Sequence, residues 1–113
     1  MAGHNIIVVG ASAGGVEALK QLVTHLPADL QAAVFVVLHL PAHGVSVLPQ
    51  ILSRAARLPA VHAQQNQIIE LGHIYVAPPD HHLLLKPGFI ALSRGPNENG
   101  HRPAIDPLFR SAA

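Results

Sequence analysis

Two side chains in this sequence have the chemistry of a nucleophile and its base, and each stands where an apolar run ends. Ser12 lies in Gly10-Ala11-Ser12-Ala13-Gly14, directly after Ile6-Ile7-Val8-Val9. The G-x-S-x-G spacing suits a tight strand-to-helix turn that lifts a serine hydroxyl above the carboxyl edge of a sheet, with small residues because the turn is crowded. A helix starting there would aim its free N–H groups and positive dipole end at the same spot, where a developing oxyanion can sit. The same turn has two rival readings. A dinucleotide fingerprint needs a glycine in the middle position and an acidic residue at the end of the second strand. Ser12 replaces that glycine, and the second apolar run, Ala32 to Leu38, ends at His39, so both specific features are missing. The Walker pattern fails as well, because no Gly-Lys-Ser or Gly-Lys-Thr occurs. The plain alternative is a glycine-rich turn in which Ser12 serves only as a helix N-cap.

His39 bears on that choice. Adjacent strands of an open parallel sheet deliver their carboxyl ends side by side, so residues closing the first and second strands converge. Ser12 with His39 is the serine and general-base pairing of acyl transfer: imidazole takes the hydroxyl proton as a carbonyl is attacked and returns it to the leaving group. The order is not that of a lipase-like hydrolase, in which histidine comes last, after the acid. The plain reading of His39 is a polar residue ending a strand, and nine histidines make such a placement easy by chance.

The elements that must position these residues follow from periodicity. Asn5 to Val9 is a β-branched run of the kind buried on both faces of a parallel sheet. From Gly14, Val16, Leu19, Leu22, Val23 and Leu26 recur at three and four until Pro27, which predicts the first helix. Ala32 to Leu38 is the second strand, and Val45, Leu48, Ile51, Leu52 and Ala55 give a second helix with Pro49 near its first turn. A short strand near Ala60 to Ala63 completes βαβαβ, hence a parallel sheet with right-handed crossovers. His73 to Ala77, His82 to Lys86 and Phe89 to Ser93 read as short strands of an antiparallel excursion on the sheet edge, separated by Pro78-Pro79-Asp80 and Pro87-Gly88. Arg102 to Ala113 reads as the approach to a helix, after which an alternating fold needs another strand.

Composition sets the frame. With 113 residues, half of them apolar and 12% charged, the chain supports one hydrophobic core. A net charge of +1 without a basic block points to neither nucleic acid nor an anionic membrane. The absence of cysteine excludes a disulfide, a thiolate metal site and a catalytic thiol within these residues, and fits a reducing compartment. No apolar run approaches a membrane span. Ala11-Ser12-Ala13 mimics a signal cleavage site, but Met1 to Asn5 lacks a basic residue and Gly10 breaks the apolar stretch, so the expected location is the cytoplasm. His39 and His43, with His73, His81, His82 and His101, invite a metal reading, but Pro41 and Gly44 argue against a helix presenting the first pair, and no acidic partner falls at matching spacing. No metal or cofactor is expected.

Four stretches in order, VVGASAGG, VFVVLHLP, HIYVAPPDHHLLL and HRPAIDPLFRSAA, resemble the catalytic domain of the chemotaxis protein-glutamate methylesterase family (CheB), over Asn5 to Ala113. The resemblance implies a Rossmann-like three-layer α/β fold that is incomplete at its C-terminus, residues 1–113 being the first part of such a domain. It implies an esterase that removes methyl groups from glutamate methyl esters on the cytoplasmic helices of chemoreceptors, and in many members deamidates receptor glutamines. Ser12 matches the nucleophile and His39 the general base. Ala13 stands where the family usually has threonine and offers its backbone N–H to the oxyanion. His82 matches a recurrent histidine with a structural or substrate-edge role. Arg102 is placed to meet acidic groups on a glutamate-rich helix, unless it is simply a solvated loop arginine. The family's third catalytic residue, an aspartate in a G-M-G-x-D-G turn, lies past the helix begun at Arg102; Asp106 is not that residue. These 113 residues alone are therefore expected to be poorly folded or inactive. With only Met1 to Asn5 before the first strand, the family's receiver domain is not expected here, which fits a stand-alone domain or the front of a fusion with a methyltransferase. The alternative function is a noncatalytic, methylesterase-like interaction module in chemosensory signalling.

Overall fold

The computed structural model describes residues 5–39, 47–79 and 81–93. It is an α/β fold of β1 (Ile6–Ser12), a 3-10 turn (Ala13–Gly15), α1 (Val16–Thr24), β2 (Ala33–His39), α2 (Leu48–Ala55), β3 (Ala60–His62), β4 (Ile74–Val76), β5 (His82–Lys86) and β6 (Phe89–Ser93). The first four strands form one parallel sheet in the order β1-β2-β4-β3, and β5 and β6 form a separate antiparallel pair. The helix approach from Arg102, with Arg102 and Asp106, and the first residues expected of the second helix lie outside the described residues.

The continuous apolar character of β2 is explained by cover on both faces. Val34, Val36 and Leu38 pack with Leu19 and Val23 of α1 and Leu48 and Leu52 of α2. The alternate residues Ala33, Phe35 and Val37 pack with Leu83, Leu85 and Ile90 of the hairpin. Because side chains alternate along a strand, one apolar run supplies both contacts. The layers are thus helices, parallel sheet and hairpin, and the expected antiparallel excursion is this hairpin, lying across a face of the sheet.

One short strand belongs elsewhere than its sequence neighbours suggested. Residues 73–77, grouped above with the antiparallel strands, give β4, which pairs in parallel with both β2 and β3. Burial decides the matter: Ile74 and Val76 join the helix-side core, Tyr75 the hairpin-side core. Tyr75 stacks on Phe35 with ring centroids 5.3 Å apart. Its buried hydroxyl accepts from the Glu70 N–H at 2.9 Å and donates to the Ile68 carbonyl at 3.3 Å, so a polar tip is carried into the core without an orphaned group. Gly88, at φ +83°, follows Pro87 in the hairpin loop, a combination suited to a turn that L side chains resist.

Among the described residues, one buried side-chain nitrogen has no partner, Nε2 of His62 at the end of β3. Burial pushes this imidazole below its ordinary value of 6.5. The unfolded chain therefore binds a proton more readily than the folded one, and the ring's contribution to stability, intact above about pH 6.5, is lost as the pH falls toward the folded value. We predict that urea unfolding of His62→Gln shows a smaller loss of stability between pH 7 and pH 5 than the parent; equal slopes would refute this.

Candidate active site

Ser12 is the last residue of β1 and His39 the last of β2, and the two are register partners in the parallel ladder that begins with Ile6 opposite Ala33. Adjacent strands lie about 4.8 Å apart, so the backbones of the two residues are immediate neighbours at the carboxyl edge. This juxtaposition is the one expected from the sequence.

Ser12 is exposed and has extended backbone, φ −83° and ψ 170°. The only non-glycine residue with positive φ among those described is Asn66. The turn is therefore not the strained elbow of lipase-like hydrolases, in keeping with the chain order of serine and histidine. Ser12 occupies the N-cap position of the 3-10 turn, yet its side chain makes no capping hydrogen bond. The hydroxyl is not consumed in the role that the plain reading would give it.

Beyond Ser12 the chain passes through Ala13–Gly15 straight into α1, and Gly15, the N-cap of α1, supplies no side chain either. The leading N–H groups of a helix have no partner within it, and here no side-chain cap takes their place. Together with the dipole of α1 they make the surroundings of Ser12 favourable to negative charge. Glu17 lies in the first turn of α1, but its carboxylate is drawn to Lys20 at 3.3 Å on the exposed side. The turn is held close to the strand: a Cβ on Gly15 would stand 3.0 Å from Cβ of Ala11, whereas one on Gly14 would meet nothing within 4 Å.

The third strand to reach this edge is β4. Ala77 N–H donates to the Val36 carbonyl at 2.9 Å, the last bond of β4 to β2, and the chain continues into Pro78 and Pro79. His81 then bends back, Nδ1 lying 2.9 Å from the Pro79 carbonyl. The sequence had singled out His81 only among the histidines of the metal reading; the order of the strands, invisible to periodicity, puts β4 directly beside β2. His82 is in β5, 4% exposed and paired with Ser93, which leaves its ring little surface to offer a macromolecular substrate. No group of three or more His, Asp or Glu side chains among the described residues is arranged to hold a metal ion.

The family model described as CheB methylesterase matches residues 7–113. The chain belongs to the CheB methylesterase family. It is 37% identical over 112 residues to a protein-glutamate methylesterase/protein-glutamine glutaminase of Maricaulis maris, covering 96% of this chain and 28% of that protein. A relative with the same description from Geobacter metallireducens is 41% identical over 114 residues, covering 97% and 31%. The crystal structure of the Thermotoga maritima CheB methylesterase catalytic domain superposes with a TM-score of 0.91 at 32% identity, over 96% of this chain and 60% of that one. The chain thus spans about a third of the length of these curated relatives and three-fifths of the solved CheB domain.

The close fit of the CheB turn gives a paired prediction. Gly15→Ala forces two Cβ atoms together and lowers stability by roughly 1–3 kcal/mol, while Gly14→Ala is neutral or slightly stabilising. Thermal melts of the two variants check it; equal effects would contradict the geometry.

Proposed function

We propose that these residues supply the nucleophile and the base of a protein-glutamate methylesterase acting on glutamate methyl esters of chemoreceptor cytoplasmic helices. The observation that carries this reading is the register pairing of Ser12 with His39, with the Ser12 hydroxyl left out of the cap. In the proposed reaction, Oγ of Ser12 attacks the ester carbonyl carbon while the His39 imidazole takes the hydroxyl proton. The carbonyl oxygen becomes an oxyanion that accepts from the Ala13 N–H, near the positive end of α1. Collapse breaks the bond to the methoxy oxygen, which leaves as methanol with the proton from His39. Water then attacks the acyl carbon as His39 takes its proton; the bond to Ser12 Oγ breaks, Oγ receives that proton from His39, and the free glutamate side chain is released. A glutamine side chain follows the same course with ammonia as the leaving group.

The remaining roles rest on the family likeness. An aspartate from a glycine-rich turn past Ala113 orients His39, so the 113 residues supply two of three groups. Arg102 meets acidic side chains of the receptor helix, and His82, buried in β5, has a structural role. The reaction needs no cofactor or metal, and its substrate lies in the cytoplasm.

With the acid-bearing turn present, Ser12→Ala is expected to lower methanol release from methylated receptor by about four orders of magnitude or more. Its thermal stability should hardly change, because the hydroxyl caps nothing. The 113 residues alone should release methanol about four orders of magnitude more slowly than a chain carrying the acid. Unchanged methanol release from Ser12→Ala would sink the nucleophile assignment, whereas no release above background from the parent carrying the acid-bearing turn would favour the noncatalytic module.

A further inference from the structure

At the opposite margin of the sheet from β1, a recess of about 410 Å³ opens between α2 and β3, walled by Pro49, Gln50, Ser53, Arg54, Val61 and His62. Its construction follows from β3 being an edge strand. Pro59 O accepts from Ile74 N–H and Ala63 N–H donates to Val76 O, so the backbone groups of the intervening residues Ala60 and His62 point away from β4. Ser53 covers the first of these: its hydroxyl accepts from Ala60 N–H at 3.1 Å and donates to Ala60 O at 3.0 Å. The next outward-facing groups, those of His62, lie at the recess.

The polar side chains left to offer a ligand there are those of Gln50, Arg54 and His62. Gln50 and Arg54 are one turn apart on α2 and so share a face. Arg54 is exposed and makes no ion pair among the described residues, and no acidic residue lines the recess. His62 has its Nε2 buried without a partner. Pro49 and Val61 add apolar wall. A single guanidinium without an ion pair among the described residues, the Gln50 amide, an apolar surface and one open stretch of strand edge are complementary to an extended acidic peptide rather than to a small neutral ligand.

We propose that this recess docks an acidic peptide segment of a partner protein, with one carboxylate on Arg54 and the peptide backbone on the outward-facing groups of His62. The Ser53 clamp limits the pairing to that one step of the strand. The proposal does not rest on the chemistry of Ser12.

The test is an amide NMR titration of the protein, at low salt, with a glutamate-rich hexapeptide and with its glutamine counterpart. The glutamate peptide is expected to give saturating shifts confined to residues 50–54 and 60–63. Arg54→Gln should weaken its affinity about tenfold, which corresponds to about 1.4 kcal/mol, with Arg54→Lys between the two because it keeps the charge but not the fork. Spectral dispersion reports that the exposed substitutions leave the fold intact. Equal binding of the glutamine peptide, shifts spread elsewhere, an unchanged affinity in Arg54→Gln, or inorganic phosphate giving the same shifts at the same affinity would each overturn the proposal.

Discussion

The constraint on which the rest of this structure depends is the unbroken parallel ladder between β1 and β2. Seven consecutive register pairs run from Ile6 with Ala33 to Ser12 with His39. A slip of one residue would turn every apolar side chain of β1 to the opposite face and separate the serine from the histidine. The register is therefore fixed by hydrophobic burial, and the site inherits that definition. Ile7, Val9 and Ala11 must meet the helix-side core, Ile6 and Val8 the hairpin-side core, and only one register satisfies both.

What makes the ladder rigid is that β2, its inner member, is closed over on both sides. Phe35, Val36 and Val37 are fully buried, sandwiched between α1 and α2 on one face and the β5–β6 hairpin on the other. β1 is less buried, and its polar end emerges at the carboxyl edge just where α1 begins. A nucleophile there combines an anchored strand behind it with unspent N–H groups and a helix dipole ahead of it. This places the chemical demands of acyl transfer, a positioned hydroxyl and an environment tolerant of negative charge, on elements held by the core rather than on a loop. The β3 margin shows the contrary solution: Ser53 consumes the exposed backbone groups of Ala60, and the edge is left open at His62.

Much of this was legible in the sequence. Ile6 to Val9 and Ala32 to Leu38 are long β-branched or apolar runs, so β1 and β2 declared themselves, and with them the meeting of Ser12 and His39. The helical spacing of Val16, Leu19 and Val23 likewise marked α1. The place of β4 was not legible, because three residues, Ile74-Tyr75-Val76, carry no usable period. Its position between β2 and β3 follows from which faces are covered, a tertiary property. The recess beside β3 was hidden for a similar reason: Arg54 and His62 come from different elements, and nothing near His62 in sequence marks it as half-buried. The capping role open to Ser12 could be decided only by seeing that its side chain makes no capping bond.

The central claim, that the ladder register makes residues 12 and 39 immediate neighbours, can be measured directly because the sequence contains no cysteine. Ser12→Cys and His39→Cys introduced together should react with dibromobimane to give the fluorescent intramolecular bridge, which needs two thiols within about one strand spacing of each other. Each single variant should take up the reagent without bridging, as should Ser12→Cys combined with Gln31→Cys, which lies just before the start of β2. Efficient bridging of the 12/39 pair alone is the predicted result. Labelling of both cysteines without a bridge would contradict the register, and with it the pairing of nucleophile and base.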